Sequence, residues 1–118
     1  ARQAMLLQRV KHGASAITAR QILKTATRGG AEVLRQTNIG QIAPGFSADM
    51  AIFDMHTVDL AGTHCDPLAA LVFCGPVKTK HTIINGNLIV EDGHLTTINI
   101  NSILQEHRNL SIELINSA

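Results

Sequence analysis

The stretch from Ile39 to Asp54, IGQIAPGFSADMAIFD, limits the fold more than any other part of the chain. It reads as a short strand, a tight turn at Pro44-Gly45, and a second strand from Met50 to Phe53. Proline presets φ at about −65° for the first central turn position, and glycine accepts the positive φ that a type II turn needs next. Ala48 and Asp49 then lead into an apolar run of strand length. Downstream, His81-Thr-Ile-Ile84 and Asn87-Leu-Ile-Val90 flank Asn85-Gly86. Asn-Gly between two β-rich runs predicts a hairpin, because both central residues of a type I′ turn need φ > 0.

The helices around these strands carry their own signals. Residues 2–12 place Ala4, Leu6, Leu7 and Val10 among Gln, Arg and Lys, which predicts an amphipathic helix ending at Gly13. Thr18 stands three residues before Gln21, a capping-box spacing, and Ile17 and Ile22 sit where a hydrophobic staple places them. Ile22, Leu23 and Ala26 are the expected buried stripe of that helix. Thr27 is read as the cap of a second short helix running to about Leu34, and Gly29-Gly30 at its start suggests close packing. A polar connection, His56 to Thr63, leads to Asp66-Pro67, an N-cap with proline at the first helical position, where its missing N–H is no loss. Leu68, Leu71 and Val72 are expected to face inward before Gly75-Pro76 stops that helix. Asn99 caps a last helix with Ile100, Ile103, Leu104, Leu110 and Leu114 at roughly 3.6-residue spacing.

A chain of 118 residues is one domain's worth. Its net charge of +1 gives no reason to expect nucleic acid or an anionic membrane as partner. With 45% hydrophobic residues and three phenylalanines as the only aromatics, the core must be aliphatic. No run approaches the roughly 18 apolar residues of a membrane span, and the start shows no signal-peptide pattern. Two cysteines, Cys65 and Cys74, make no disulfide framework, so a reduced cytoplasmic protein is the expectation. Ala1 opens directly into a helical pattern without an initiator Met, as though the chain were cut from something longer.

Four motifs together resemble one family. The stretch IGQIAPGFSADMAIFD, followed by INGNLIVEDG, is similar to the C-terminal end of the metal-dependent amidohydrolases. TATRGGAEVL at residues 25–34 and AGTHCDPLAALVFCGP at 61–76 strengthen the likeness, the latter toward the group of 8-oxoguanine deaminase and hydroxydechloroatrazine ethylaminohydrolase. One departure stands at Arg35, where the family usually has Gly, so the helix is expected to close at Asn38 instead.

The resemblance implies an α+β chain: the C-terminal helices of a (β/α)8 barrel plus part of the accessory amidohydrolase β-sandwich, with a terminal helix. Residues 1–36 would be the barrel helices, 37–98 the sandwich strands with an inserted short helix, and 99–118 the C-terminal helix. It also implies a parent enzyme that deaminates an amino-substituted purine or triazine ring by hydrolysis, using a divalent metal, zinc or iron. Barrel enzymes place their catalytic residues at the C-terminal ends of strands, and the family's His-x-His is not in this chain. No catalytic, cofactor-binding or metal-binding residue is therefore carried over to any position, and the chain alone is expected to be inactive. Its missing barrel and open sheet edges imply self-association, as a dimer or larger. The alternative is a stand-alone structural or interaction domain with no catalysis.

The ligand-type residues present could still form a site of their own. His64, Cys65 and Asp66 are adjacent and Cys74 follows eight residues after Asp66. Structural zinc wants four ligands at spacings such as C-x2-C and H-x3-5-H, and three consecutive residues do not easily converge on one ion. Ordinary structure is the better reading for them, with Asp66 as a cap. His12, His56, His81, His94 and His107 are scattered and read as surface or helix-end residues. Gly29-Gly30 suggests anion binding only weakly, since neither P-loop nor Rossmann spacing accompanies it.

Overall fold

A computed structural model describes residues 1–117; the expected third unit's last residue, Ala118, lies outside them. Helix α1 (Arg2–His12) ends at Gly13, and α2 (Ala19–Lys24) opens on a complete capping box. The Thr18 N–H donates to Gln21 Oε1 at 2.8 Å and the Gln21 N–H donates to Thr18 Oγ1 at 3.2 Å. Ile17 packs against the small core that holds Ile22, as the staple requires. That core joins Met5 of α1, Ala19 and Ile22 of α2, and Val72 of α4 (Pro67–Phe73). Arg9 fastens its rim: Nε and Nη2 donate to the Ile17 carbonyl at 3.1 and 2.9 Å, and the guanidinium lies 5.3 Å over the Phe73 ring.

Several expectations for this half are corrected. The stripe Ala4, Leu6, Leu7 and Val10 is exposed, and the buried residue of α1 is Met5, with no accessible surface. At about 100° per residue, Leu6, Leu7 and Val10 centre about 150° away from Met5, so α1 gives its richer apolar face to solvent. Thr27 caps nothing. The helix runs on from α2 through a π-helical turn at Thr25–Gly29 into α3 (Gly30–Val33), and the Thr27 hydroxyl donates back to the Leu23 and Lys24 carbonyls. Ala26 is exposed, and Ala31 is buried. Gly29-Gly30 is not a close-packing point, since a Cβ on Gly30 would meet no atom within 4 Å. The helix closes at Leu34 rather than Asn38, with Arg35 itself at φ 54°.

The segment after it forms no strand at 39–42. Gly40, at φ 83°, is pressed onto the helix instead: a Cβ there would lie 3.0 Å from both Ala31 Cβ and the Thr27 carbonyl oxygen. The turn at Pro44-Gly45 forms, with the Phe46 N–H donating to the Ala43 carbonyl at 3.1 Å and Gly45 at φ 82°. Strand β1 (Met50–Ile52) stops one residue short of Phe53. The connection beyond it is less polar than its composition suggests, because a 3-10 turn at Val58–Leu60 buries Leu60 completely. In α4 Val72 and Ala70 are buried, while Leu68 and Leu71 are only half-buried.

The sheet is antiparallel in the order β1-β2-β3-β4, with β2 His81–Ile84, β3 Asn87–Glu91 and β4 His94–Leu95. Asn85 and Gly86, at φ 47° and 80°, make the expected turn between β2 and β3. Ala48-Asp49 receives that turn: the Asn85 N–H donates to Asp49 Oδ1 at 2.7 Å and the Gly86 N–H to the Ala48 carbonyl at 3.1 Å. This sets the register of β1 on β2, Met50 opposite Ile83. Asp92-Gly93 turns β3 into β4. Helix α5 (Ile100–Asn116) starts at Asn99, whose side chain accepts from the Asn101 N–H at 3.1 Å, and buries none of its residues.

The chain is extended for its length. Its radius of gyration is 18.2 Å, against about 13–14 Å for a compact domain of this size. It exposes 9059 Å², where a folded monomer of this mass exposes about 6,200 Å². Large apolar side chains supply part of that excess, from Leu7 in α1 to Ile115 in α5. Among the described residues no helix is long and apolar enough to cross a membrane.

Candidate functional site

The ligand-type residues singled out in the sequence do not converge. Asp66 Oδ1 accepts the Ala69 N–H at 3.0 Å, which commits this carboxylate to the start of α4. Cys65 is exposed just before it, and Cys74 is half-buried at the other end of the same helix. The His64 ring faces His56 instead, with centroids 5.9 Å apart and planes tilted by 42°. Among the described residues no three His, Cys, Asp or Glu side chains gather in a way that could hold a metal ion. The described residues therefore offer no donor set that fits the divalent metal implied by the family resemblance.

Two of the concavities on the described surface bear on a candidate site. One, of about 540 Å³, lies where the end of β1 meets the start of β2 and the β3–β4 turn; Asp54, Asp59, Cys74, Lys78, Lys80 and Asp92 line it. Lys80 Nζ donates to Asp54 Oδ2 at 3.2 Å, while the His56 N–H donates to Asp54 Oδ1 at 2.9 Å. The His56 N–H first, and then Lys80, hold the Asp54 carboxyl below its ordinary 3.8. A carboxylate so stabilised is ionised at neutral pH and a weak proton acceptor, the opposite of what general-base chemistry needs. His81 Nε2 lies 3.8 Å from Asp92 Oδ1 at the rim, and both side chains are reached by water.

The second concavity, of about 620 Å³, separates the π-helical turn at Thr25–Gly29 from the sheet. Its walls are apolar: Ala26, Ile39, Ile42, Met50, Ile52 and Ile84 contribute most of its character. Ile42 is 84% exposed in this groove, although the nearby Gly40 contact holds its segment in place. Sequence reasoning missed this groove. Its signal was present in the apolar alternation of residues 39–53, read as strand pairing rather than as a wall. Cys74, Asp54 and Lys80 all line the first concavity, but the hydrogen bonds there join Asp54 to Lys80 and to the His56 N–H and do not engage the Cys74 thiol, and the described chain buries no charged side chain.

The comparisons with known proteins place this geometry. The chain is 37% identical over 115 residues to 8-oxoguanine deaminase of Pseudomonas aeruginosa, which covers 98% of this chain and 25% of that enzyme. It is 35% identical over 74 residues to hydroxydechloroatrazine ethylaminohydrolase of Pseudomonas sp. strain ADP, covering 60% of this chain and 15% of the relative. The solved structure of atrazine chlorohydrolase from Arthrobacter aurescens TC1, complexed with zinc, superposes with a TM-score of 0.81 at 29% identity over 92% of this chain and 25% of that one. The match thus spans about a quarter of the length of the deaminase and of the chlorohydrolase, and less of the ethylaminohydrolase. Residues 1–89 match the pattern of the Amidohydrolase family. With the helices and the four-stranded sheet arranged as in its solved members, the chain belongs to the amidohydrolase family.

Proposed function

We propose that this chain is the C-terminal part of a cytoplasmic, metal-dependent aminohydrolase, and that it carries none of the catalytic residues. In this reading residues 1–36 are the last helices of the barrel, 37–98 belong to the accessory sandwich, and 99–118 are the terminal helix. The parent hydrolyses a carbon–nitrogen bond on an amino-substituted purine or triazine ring, with zinc or iron held by residues outside this chain. The observation that carries the reading is the 98% coverage of this chain by a quarter of 8-oxoguanine deaminase. The uncovered outer face of α1 supports it, since Leu6, Leu7 and Val10 point away from the only core that α1 helps to build.

The contribution of this chain to such an enzyme is mechanical. Its caps and turns hold a preformed surface against which the rest of the barrel closes. Alone it turns over nothing, and its exposed apolar faces drive it to dimers or larger assemblies. The experiment is an assay of a full-length protein ending in this sequence against 8-oxoguanine, guanine and aminotriazines. Release of ammonia or an alkylamine is the expected result. Hydrolysis of amides or esters with no amine released from the ring overturns the substrate class.

A further inference from the structure

The apolar surface of this chain is carried by three separate parts of it. It includes the outer face of α1, the groove between the π-helical turn at Thr25–Gly29 and the sheet, and the stripe of Ile103, Leu104, Leu110 and Leu114 on α5. A two-fold dimer covers one self-complementary patch on each copy. Covering three separated faces at once takes a body larger than the chain itself. The excess exposed surface of roughly 2,800 Å² over a compact monomer of this mass points the same way. It exceeds the roughly 800 Å² per partner of a standard protein interface severalfold.

Resting on the reading above, we propose that this chain is a separable docking module. Supplied on its own, it recognises in trans the remaining three-quarters of an amidohydrolase through the outer face of α1 and the 620 Å³ groove. Two observations favour docking of a preformed surface over folding on contact. The continuous helix whose π-helical turn walls the groove opens on the Thr18–Gln21 capping box, and the Gly40 contact sets the groove wall against Ala31 and Thr27. Preorganisation of this kind lowers the ordering cost of association.

The test uses the full 118-residue chain and, as partner, Pseudomonas aeruginosa 8-oxoguanine deaminase lacking the 115 residues that align with it. The two are co-expressed and passed over a sizing column with light scattering. A 1:1 complex is expected. Leu7→Glu on α1 and Ile42→Glu in the groove should each weaken it by roughly tenfold or more, because each buries an unpaired carboxylate. Gln8→Glu should leave it intact. Should the truncated deaminase be insoluble, intact deaminase is cut at an engineered protease site at the junction, unfolded, and refolded with labelled chain at equal ratio. Label in the reassembled enzyme supports the proposal. Homo-oligomers that persist unchanged beside the partner, absence of label, or a complex indifferent to both Glu substitutions overturns it. A complex that forms but releases no ammonia leaves docking standing and counts against the substrate reading alone.

Discussion

Two helices of this chain are equally well signalled and differently used. Helix α4 opens on Asp66-Pro67 and buries Val72 against α1 and α2, with Ala69 packed beside it. Helix α5 opens on Asn99, is more than twice as long, has a clear apolar stripe, and buries nothing. Capping and periodicity fix where a helix starts and which face is apolar; they do not supply the surface that face needs. In α4 that surface comes from within 118 residues, and in α5 it does not. The difference separates what local sequence determines from what only a packed neighbour can add.

The comparison is broken most easily at its strongest point. Met5→Ala removes a side chain with no exposed surface from the α1–α2–α4 core, and should cost about 2–5 kcal/mol in urea unfolding. Leu110→Ala on α5, at 57% exposure, should stay within about 0.5 kcal/mol. Equal costs would mean that α5 is packed in solution, on a second copy or on this one. Gly40→Ala comes next. Its Cβ would crowd Ala31 and the Thr27 carbonyl at 3.0 Å, in a left-handed backbone conformation. Strain and crowding together predict a loss on the order of 3 kcal/mol. A neutral result would show that the groove wall is not pinned to the helix.

A smaller effect of opposite sign is expected at Arg35. It holds φ 54° at the end of the α2–α3 helix, a position that glycine occupies without steric cost. Arg35→Gly should therefore stabilise by roughly 0.5–1 kcal/mol despite the added freedom of the unfolded chain. A clear loss would mean that the Arg35 side chain makes a contact worth more than the strain. Asp66→Ala, which removes the α4 cap, should cost about 1 kcal/mol.

What could be read in advance follows the same division. The capping box at Thr18–Gln21, the Pro44-Gly45 and Asn85-Gly86 turns and the sheet pairing of β2 with β3 were legible because each is decided within a few residues. Strand β4 was legible too, in Asp92-Gly93, a hairpin dipeptide that went unused. Tertiary choices were not. The periodic stripe of α1 marked Leu6, Leu7 and Val10 for burial, yet the buried partner of Ile22 and Val72 is Met5. Nothing local could say which apolar face of α1 meets the small core. Likewise Thr27 has the chemistry of a cap, but Ala31 packing on Gly40 keeps the helix continuous through it. The cap role of Asp66 was legible in Pro67 beside it.

The smallest expected effect concerns the fastening of the sheet, which α5 lacks altogether. Asp54, just past β1, accepts the His56 N–H and pairs with Lys80 at the entrance to β2. These contacts depress its carboxyl below 3.8 in the folded chain. Its unfolded value is about 3.9, so the folded state binds fewer protons than the unfolded one in acid. The contribution is complete above about pH 4 and is lost as the pH falls through the depressed folded value. Both side chains remain open to water, at 35% for Asp54 and 44% for Lys80, and salt screens the pair. Asp54→Asn keeps an oxygen for the His56 N–H and removes the charge. It should lower the unfolding temperature slightly at pH 7 in low salt, by less in about 0.5 M salt, and not at all once the native carboxyl is protonated. A difference that persists undiminished into acid would assign the role of Asp54 to the shape of its turn, not to its charge.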